Sequence, residues 1–311
     1  MRIITTAHEA HSLTSAEAAR EYPIHLRAVV TYVDPNVGLN RAGLFVHDPT
    51  GSIFVSGAQG VLNSLRPGSL IDLRGVSNPG EFAPIVALAQ IQVIGYSGLP
   101  ASTDRPAFSR LLSAAEDSQW VEVEGVIHSF IEDDRHVSLH LTLADGSITV
   151  FMIKETGQPY SRLVDAKVRI RGNVAPLFDS GRRQLIGMRI QCPNLSAVEI
   201  VEPPPDDPFR LAIIPIDRLL GWDVAPLLAH RVHIRGRVTL FWPGSTVCLR
   251  DAKQGLCAQT DQSTLIRKGE LIDMVGFVTV EGSTPVLTGA MFRNLLKLVL
   301  VFGRFRLWFV Y

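Results

Sequence analysis

The chain has 311 residues, 46% hydrophobic and 19% charged, a composition that excludes a disordered protein and allows two or three domains with separate cores. Its 30 basic and 30 acidic side chains cancel, so the whole sequence lacks the cationic excess of a general polyanion binder. Three cysteines (Cys192, Cys248, Cys257) without CxxC spacing do not make a disulfide scaffold or a zinc site, and they leave the redox compartment open.

The first residues, MRIITTAHEAHSL, contain no apolar run of the kind a secretory signal needs. LTSAEAARE (Leu13 to Glu21) predicts a short helix, with Thr14 and Glu17 at capping-box spacing. A strand follows in YPIHLRAVVTYV (Tyr22 to Val33), then a hairpin in LFVHDPTGSIFV (Leu44 to Val55). LRPGSLIDLRGV (Leu65 to Val76) and AQIQVIGY (Ala89 to Tyr96) predict the fourth and fifth strands, and GLPASTDRPA (Gly98 to Ala107) reads as a linker.

The series then returns. FSRLLSAAED, QWVEVEGVIHSF, LHLTLADGSITVF, LVDAKVRIRGNV and LSAVEIVE predict a second helix and five strands between Phe108 and Glu202. After the stiff spacer EPPPDDP come IDRLLGWDVAPLLA, HRVHIRGRVTLF, VCLRDAKQGLCA and IRKGELIDMVGFV, a third copy. Gly125 and Gly236 stand mid-strand where the first copy has Ala28, which predicts a bulge or bend there. The last stretch, LLKLVLVFGRFRLWFVY (Leu295 to Tyr311), is apolar but interrupted by Lys297, Arg304 and Arg306, and falls short of the ~20 residues of a membrane span. It reads as a clipped membrane anchor or an aberrant terminus.

This pattern predicts an all-β protein of three tandem OB-like small β-barrels, each preceded by a short helix and lacking a helix between strands three and four. The boundaries fall at 1–100, 101–205 and 206–294, with the tail at 295–311.

Turn counting assigns the hairpin faces. Val46 opposite Ile53 and Leu44 opposite Val55 share one face, and Phe45 opposite Phe54 the other. A two-residue Asp145-Gly146 turn pairs Leu143 with Ile148 and Thr142 with Thr149. In the third hairpin Leu249 faces Leu256, and Cys248 faces Cys257 within bridging distance; an exported module could oxidise the pair, but with no signal peptide two free thiols are the favoured expectation. The aliphatic face is the core in each copy. On the other face, where OB barrels usually take ligands, the first copy alone has paired aromatics. Tyr32, Phe45, His47 and Phe54 are therefore the candidate ligand-binding residues, a platform for stacking a flat ligand. The competing reading, favoured because adjacent barrels need apolar surface to pack, is that a neighbouring module or the preceding helix covers the rings.

No catalytic, metal or cofactor site is expected. His136 and His140 lie about 13 Å apart along a strand and are expected to face solvent, while His230 and His233 point to opposite faces. Glu132 to Asp134 and Arg182-Arg183 read as solvated turns. There is no nucleophile elbow, phosphate-binding glycine loop or HExxH, so an enzyme is not indicated.

EAAREYPIHLRAVVTY, LFVHDPTGSIFV, LRPGSLIDLRGV and EDSQWVEVEGVI resemble the N-terminal sensory region of acidobacterial-type membrane sensor histidine kinases and diguanylate-cyclase-type receptors, over about residues 13 to 293. The resemblance implies a non-catalytic sensory or interaction region of a two-component-type receptor, periplasmic and membrane-associated, with a small ligand or protein as partner. The chain carries no histidine box, ATP-binding domain or cyclase domain. The alternative is an OB-type single-stranded nucleic-acid binder, supported by the fold and by Phe45 and Phe54 and opposed by the neutral charge.

Overall fold

The same strand path is laid down three times. The computed structural model describes residues 2–38, 41–57, 60–101, 104–113, 115–179, 184–219, 229–281 and 284–295. Arg182, Arg183 and the tail from residue 296 lie outside them, and with the tail any membrane attachment through it.

In the first barrel, α1 (Ala7–His11) and α2 (Ser15–Ala18) precede β1 (Pro23–Gly38), β2 (Arg41–Asp48), β3 (Gly51–Phe54), β4 (Ser69–Asn78) and β5 (Ile85–Tyr96). The expected capping box closes α2: the Glu17 amide donates to Thr14 Oγ1, and the Thr14 amide donates to the Glu17 carboxylate. The strands run in the order β3-β2-β1-β4-β5, and a parallel bridge from Val55 to Val86 closes the ring. Leu26, Val30, Val46, Ile53, Ile71 and Leu73 fill its core.

The second barrel consists of α3 (Phe108–Leu112), β6 (Trp120–Glu132), β7 (His136–Thr142), β8 (Ser147–Ile153), β9 (Lys167–Asp179) and β10 (Gln184–Gln191). Here β10 is the closing strand, parallel to β8 through Arg189 to Gln191. LSAVEIVE, expected to be the fifth strand, instead yields β11 (Val198–Glu202), a sixth strand paired to the far edge of β9. The third barrel follows α4 (Ile216–Leu219) with β12 (Arg231–Trp242), β13 (Thr246–Arg250), β14 (Gly255–Gln259), β15 (Leu271–Glu281) and β16 (Thr284–Asn294), closed in the order β12-β13-β14-β16-β15. Short 3-10 turns, Leu62–Ser64 and Tyr160–Leu163, stand between strands three and four of the first two barrels, where no helix was expected.

The first two barrels share one compact unit, Met1–Ser161 with Lys167–Glu202; Arg162–Ala166 and the described residues from Pro203 onward form the other.

Each first strand serves two neighbours that overlap at a single residue. Val29 pairs with both Leu70 and His47, Val126 with both Lys167 and Thr142, and Arg237 with both Leu271 and Arg250. Immediately before that residue stand Ala28, Gly125 and Gly236. A Cβ on Gly125 would lie 2.3 Å from the Thr142 carbonyl oxygen, and one on Gly236 3.0 Å from that of Arg250. The glycines thus serve close approach at the change of partner. The bulge comes three residues later, at Thr31, His128 and Thr239. Thr31 and Thr239 donate through Oγ1 to the Phe45 and Cys248 carbonyls at 3.2 and 3.1 Å.

The first and third hairpins keep the expected register, Phe45 to Phe54 and Cys248 to Cys257. In the second, Leu141 pairs with Ile148 and His140 with Thr149, two residues from expectation, because the loop is four residues long and closed by Leu143 N–H to the Gly146 carbonyl. A slip of two preserves the faces. Cys248 and Cys257 are joined in a disulfide with Cα atoms 4.0 Å apart, correcting the expectation of free thiols.

We expect Gly125→Ala to cost about 1–3 kcal/mol, the range for forcing atoms into a packed site, and Gly236→Ala to cost less. Urea unfolding checks the order, and equal small effects would contradict it.

Candidate binding face on the third barrel

Tyr32, Phe45 and Phe54 are brought together as foreseen, but underneath the second barrel. After the Thr31 bulge, Tyr32, Phe45 and Phe54 form one rung across β1, β2 and β3. Phe45 meets Tyr32 and Phe54 edge-on, with centroids 6.3 and 5.2 Å apart. Ala175 of β9 packs on this cluster, leaving Tyr32 0% and Phe45 4% exposed. The geometry is that of a docking contact, with no open platform at these rings. His47, half-buried, bonds Ser52 Oγ at 2.9 Å, and burial lowers its pKa.

Polar contacts lock the same seam. Gln119 of the second barrel pairs with the Ser52 backbone like a strand, accepting from its N–H and donating to its carbonyl, both at 3.2 Å. His136, expected in solvent, is instead largely buried; its Nε2 lies 2.8 Å from Asp34 Oδ2, and its ring stacks on Phe151 at 4.7 Å. The Arg189 guanidinium lies over the Phe151 ring, 4.4 Å from its centroid, and burial lowers its pKa. Gln191, with its amide turned to satisfy both neighbours, donates to Tyr32 Oη at 3.2 Å and accepts from Arg189. Burial, then the Asp34 charge, raises the Tyr32 pKa far above the ordinary phenol value. His140 is exposed as expected.

Among the described residues, nothing buries the corresponding face of the third barrel. The Thr239 bulge turns Leu240 and Trp242 outward, opposite Cys248 and Thr246, while Phe241 packs against the core. Three rungs result: Arg237, Arg250 and Gly255; Leu240, Cys248 and Cys257; Trp242, Thr246 and Gln259. Trp242 is 61% exposed and Leu240 39%. Arg237 and Arg250 are exposed and directly opposed on adjacent strands. Arg237 donates to the Gly269 carbonyl at 3.0 Å, which sets the Arg267-Lys268 turn beside this end of the face.

Behind that face the positive charge is already matched. Asp273, fully buried, receives Arg235 at 2.6 Å and Arg293 at 3.3 Å. Burial alone would raise its pKa, but the Arg235 bonds and charge, with His233 and Arg293, hold it below the usual carboxylate range. His233 is buried and bonds the Leu211 carbonyl through Nδ1 at 2.8 Å. Residues 206–294 carry ten basic against nine acidic side chains, and residues 1–100 carry six against seven. The positive charge of the third-barrel face is local, at Arg237, Arg250 and the Arg267-Lys268 turn. Among the described residues no three His, Cys, Asp or Glu side chains group as metal ligands.

No family model matches the chain, and no curated protein sequence does. Similar solved structures include a murine DNA-binding protein bound with double-stranded DNA, at 11% identity over 59% of this chain and 99% of that one, TM-score 0.29. The Ifi202 HINa domain in complex with 20 bp double-stranded DNA matches at 10% identity over 60% and 97%, TM-score 0.30. An OBody, AM3L09, bound to hen egg-white lysozyme matches at 14% identity over 33% and 99%, TM-score 0.26.

The two faces should respond oppositely to truncation. We expect Phe45→Ala to destabilise the first unit by about 3–5 kcal/mol, as for other buried rings. Trp242→Ala should change stability by less than about 0.5 kcal/mol. Thermal unfolding of both variants reads this, and a reversed order would overturn the assignment of faces.

Proposed function

We propose that the chain is a non-catalytic OB-barrel binding protein whose third barrel takes single-stranded nucleic acid across the β12–β13–β14 face. The observation that carries this is the rung of Arg237 opposite Arg250. Like charges directly opposed on neighbouring strands destabilise a sheet, and a phosphate backbone lying over them relieves that repulsion. Trp242, two rungs along, offers an exposed indole on which a base can stack. The Arg267-Lys268 turn extends the cationic end. The third module is close to neutral in total, so the reading rests on the local cluster of Arg237, Arg250, Arg267 and Lys268 and predicts few phosphate contacts.

A sensory region of a bacterial signalling receptor is the second reading. It rests on the sequence resemblance and on a cleft of about 610 Å³ in the first unit, lined among others by Val33, Pro35, Leu65, Arg66, Ile153 and Glu155. That volume suits a small ligand. The Cys248–Cys257 disulfide suits the exported setting that the family implies.

Anisotropy titration of a labelled single-stranded oligonucleotide with the full chain, over a salt series, separates the two. For two to four phosphate contacts we expect log K to fall against log salt with a slope of about −1.4 to −2.8. Trp242→Ala should weaken binding about 5- to 100-fold. Absence of binding at low salt, or binding indifferent to salt and to Trp242, would overturn the proposal.

A further inference from the structure

We propose that the Cys248–Cys257 disulfide is a redox-operated clip on the third-barrel face, so that a dithiol reductant loosens β14 and weakens ligand binding there. The binding half of this rests on the single-strand reading above. The clip itself stands on three placements.

First, the disulfide occupies the middle rung, between the rung holding Arg237 and Arg250 and the rung holding Trp242. In the first barrel the same rung is Phe45 and Phe54, held by burial under a neighbour. Among the described residues no neighbour covers the third-barrel rung in that way, and a covalent bond joins it instead. Second, β14 has five residues and, among the described residues, pairs with the closing strand β16 at Ala258 to Leu287. Past its end, Thr260 Oγ1 donates to the Ala290 carbonyl at 2.8 Å, anchoring that side. The turn-side half, Gly255 to Cys257, depends on β13 for pairing and on the disulfide for cross-linking. Third, residue Cys257 is exposed while Cys248 is 9% exposed, which makes Cys257 the side from which a reductant approaches in this proposal.

The exchange follows from that asymmetry. A thiolate of the dithiol attacks Cys257 Sγ, and the S–S bond breaks with Cys248 leaving as thiolate. The second thiol of the reductant then attacks its own sulfur in the mixed disulfide and releases Cys257. The reductant departs as a disulfide, and its two electrons and two protons reside on the two cysteine thiols. Cys192 does not interfere: it is fully buried, and burial pushes its pKa up to about 12.

The test uses the full chain with dithiothreitol as the dithiol. Alkylation of the native protein should label no cysteine in the oxidised form and two, Cys248 and Cys257, after reduction. Hydrogen exchange at the amides of residues 255–257 should accelerate by up to about 100-fold, the scale for releasing a short cross-linked loop. Oligonucleotide affinity should fall roughly threefold or more as the competent population shrinks. The double variant Cys248→Ser/Cys257→Ser should behave as the reduced form with and without dithiothreitol. Unchanged exchange overturns the clip. Accelerated exchange with equal affinity in both redox states overturns the gating while leaving the single-strand reading intact. No oligonucleotide binding in either state sinks that reading and the gating with it, and exchange alone then judges the clip.

Discussion

The three barrels depend on one constraint: a first strand that changes partners within a single residue. Before Val29, Val126 and Arg237 the strand pairs with the fourth strand of its barrel, and after them with the second. Two neighbouring backbones must approach closely there, so the preceding side chain is Ala or Gly. The bulge that follows adds a residue and inverts which side chains face the core. Every later face assignment descends from that inversion, including Tyr32 turned into the seam and Trp242 turned outward.

The rung just beyond the bulge then meets three different fates. In the first barrel it is aromatic and buried, and it fastens two barrels into one unit with help from Gln119, His136 and Arg189. In the second it is Ser129, His140 and Thr149, a polar rung. In the third it is Leu240 with the disulfide, flanked by two arginines and a tryptophan. A two-stranded hairpin is marginal by itself, so each copy must secure this rung by some means. The means chosen decides whether the face is structural or open.

Much of the fold was legible from local chemistry. The aliphatic alternation of Val46/Ile53 and Leu249/Leu256 fixed two hairpins outright, and the Thr14/Glu17 spacing fixed a cap. The Asp145-Gly146 pair misled by two residues because its turn signal says nothing of loop length, and here Gly146 sits where a Cβ would meet the Phe108 ring at 2.1 Å. Parity hid Trp242: counted straight from Val238 it falls on the core side, and only the Thr239 bulge moves it out. The cover over Phe45 and the burial of His136 come from residues over a hundred positions away, which periodicity cannot register. Charge was readable only as a sum; that Arg237 and Arg250 stand side by side needs the register of β12 on β13.

Photo-crosslinking of a single-stranded oligonucleotide to the full chain, with the modified peptides identified by mass spectrometry, tests the central claim most directly. The open face predicts crosslinks within Arg237 to Gln259, centred on Trp242, and none on Tyr32, Phe45 or Phe54. Crosslinks confined to the first unit, or none above the background of a non-binding protein, would contradict it.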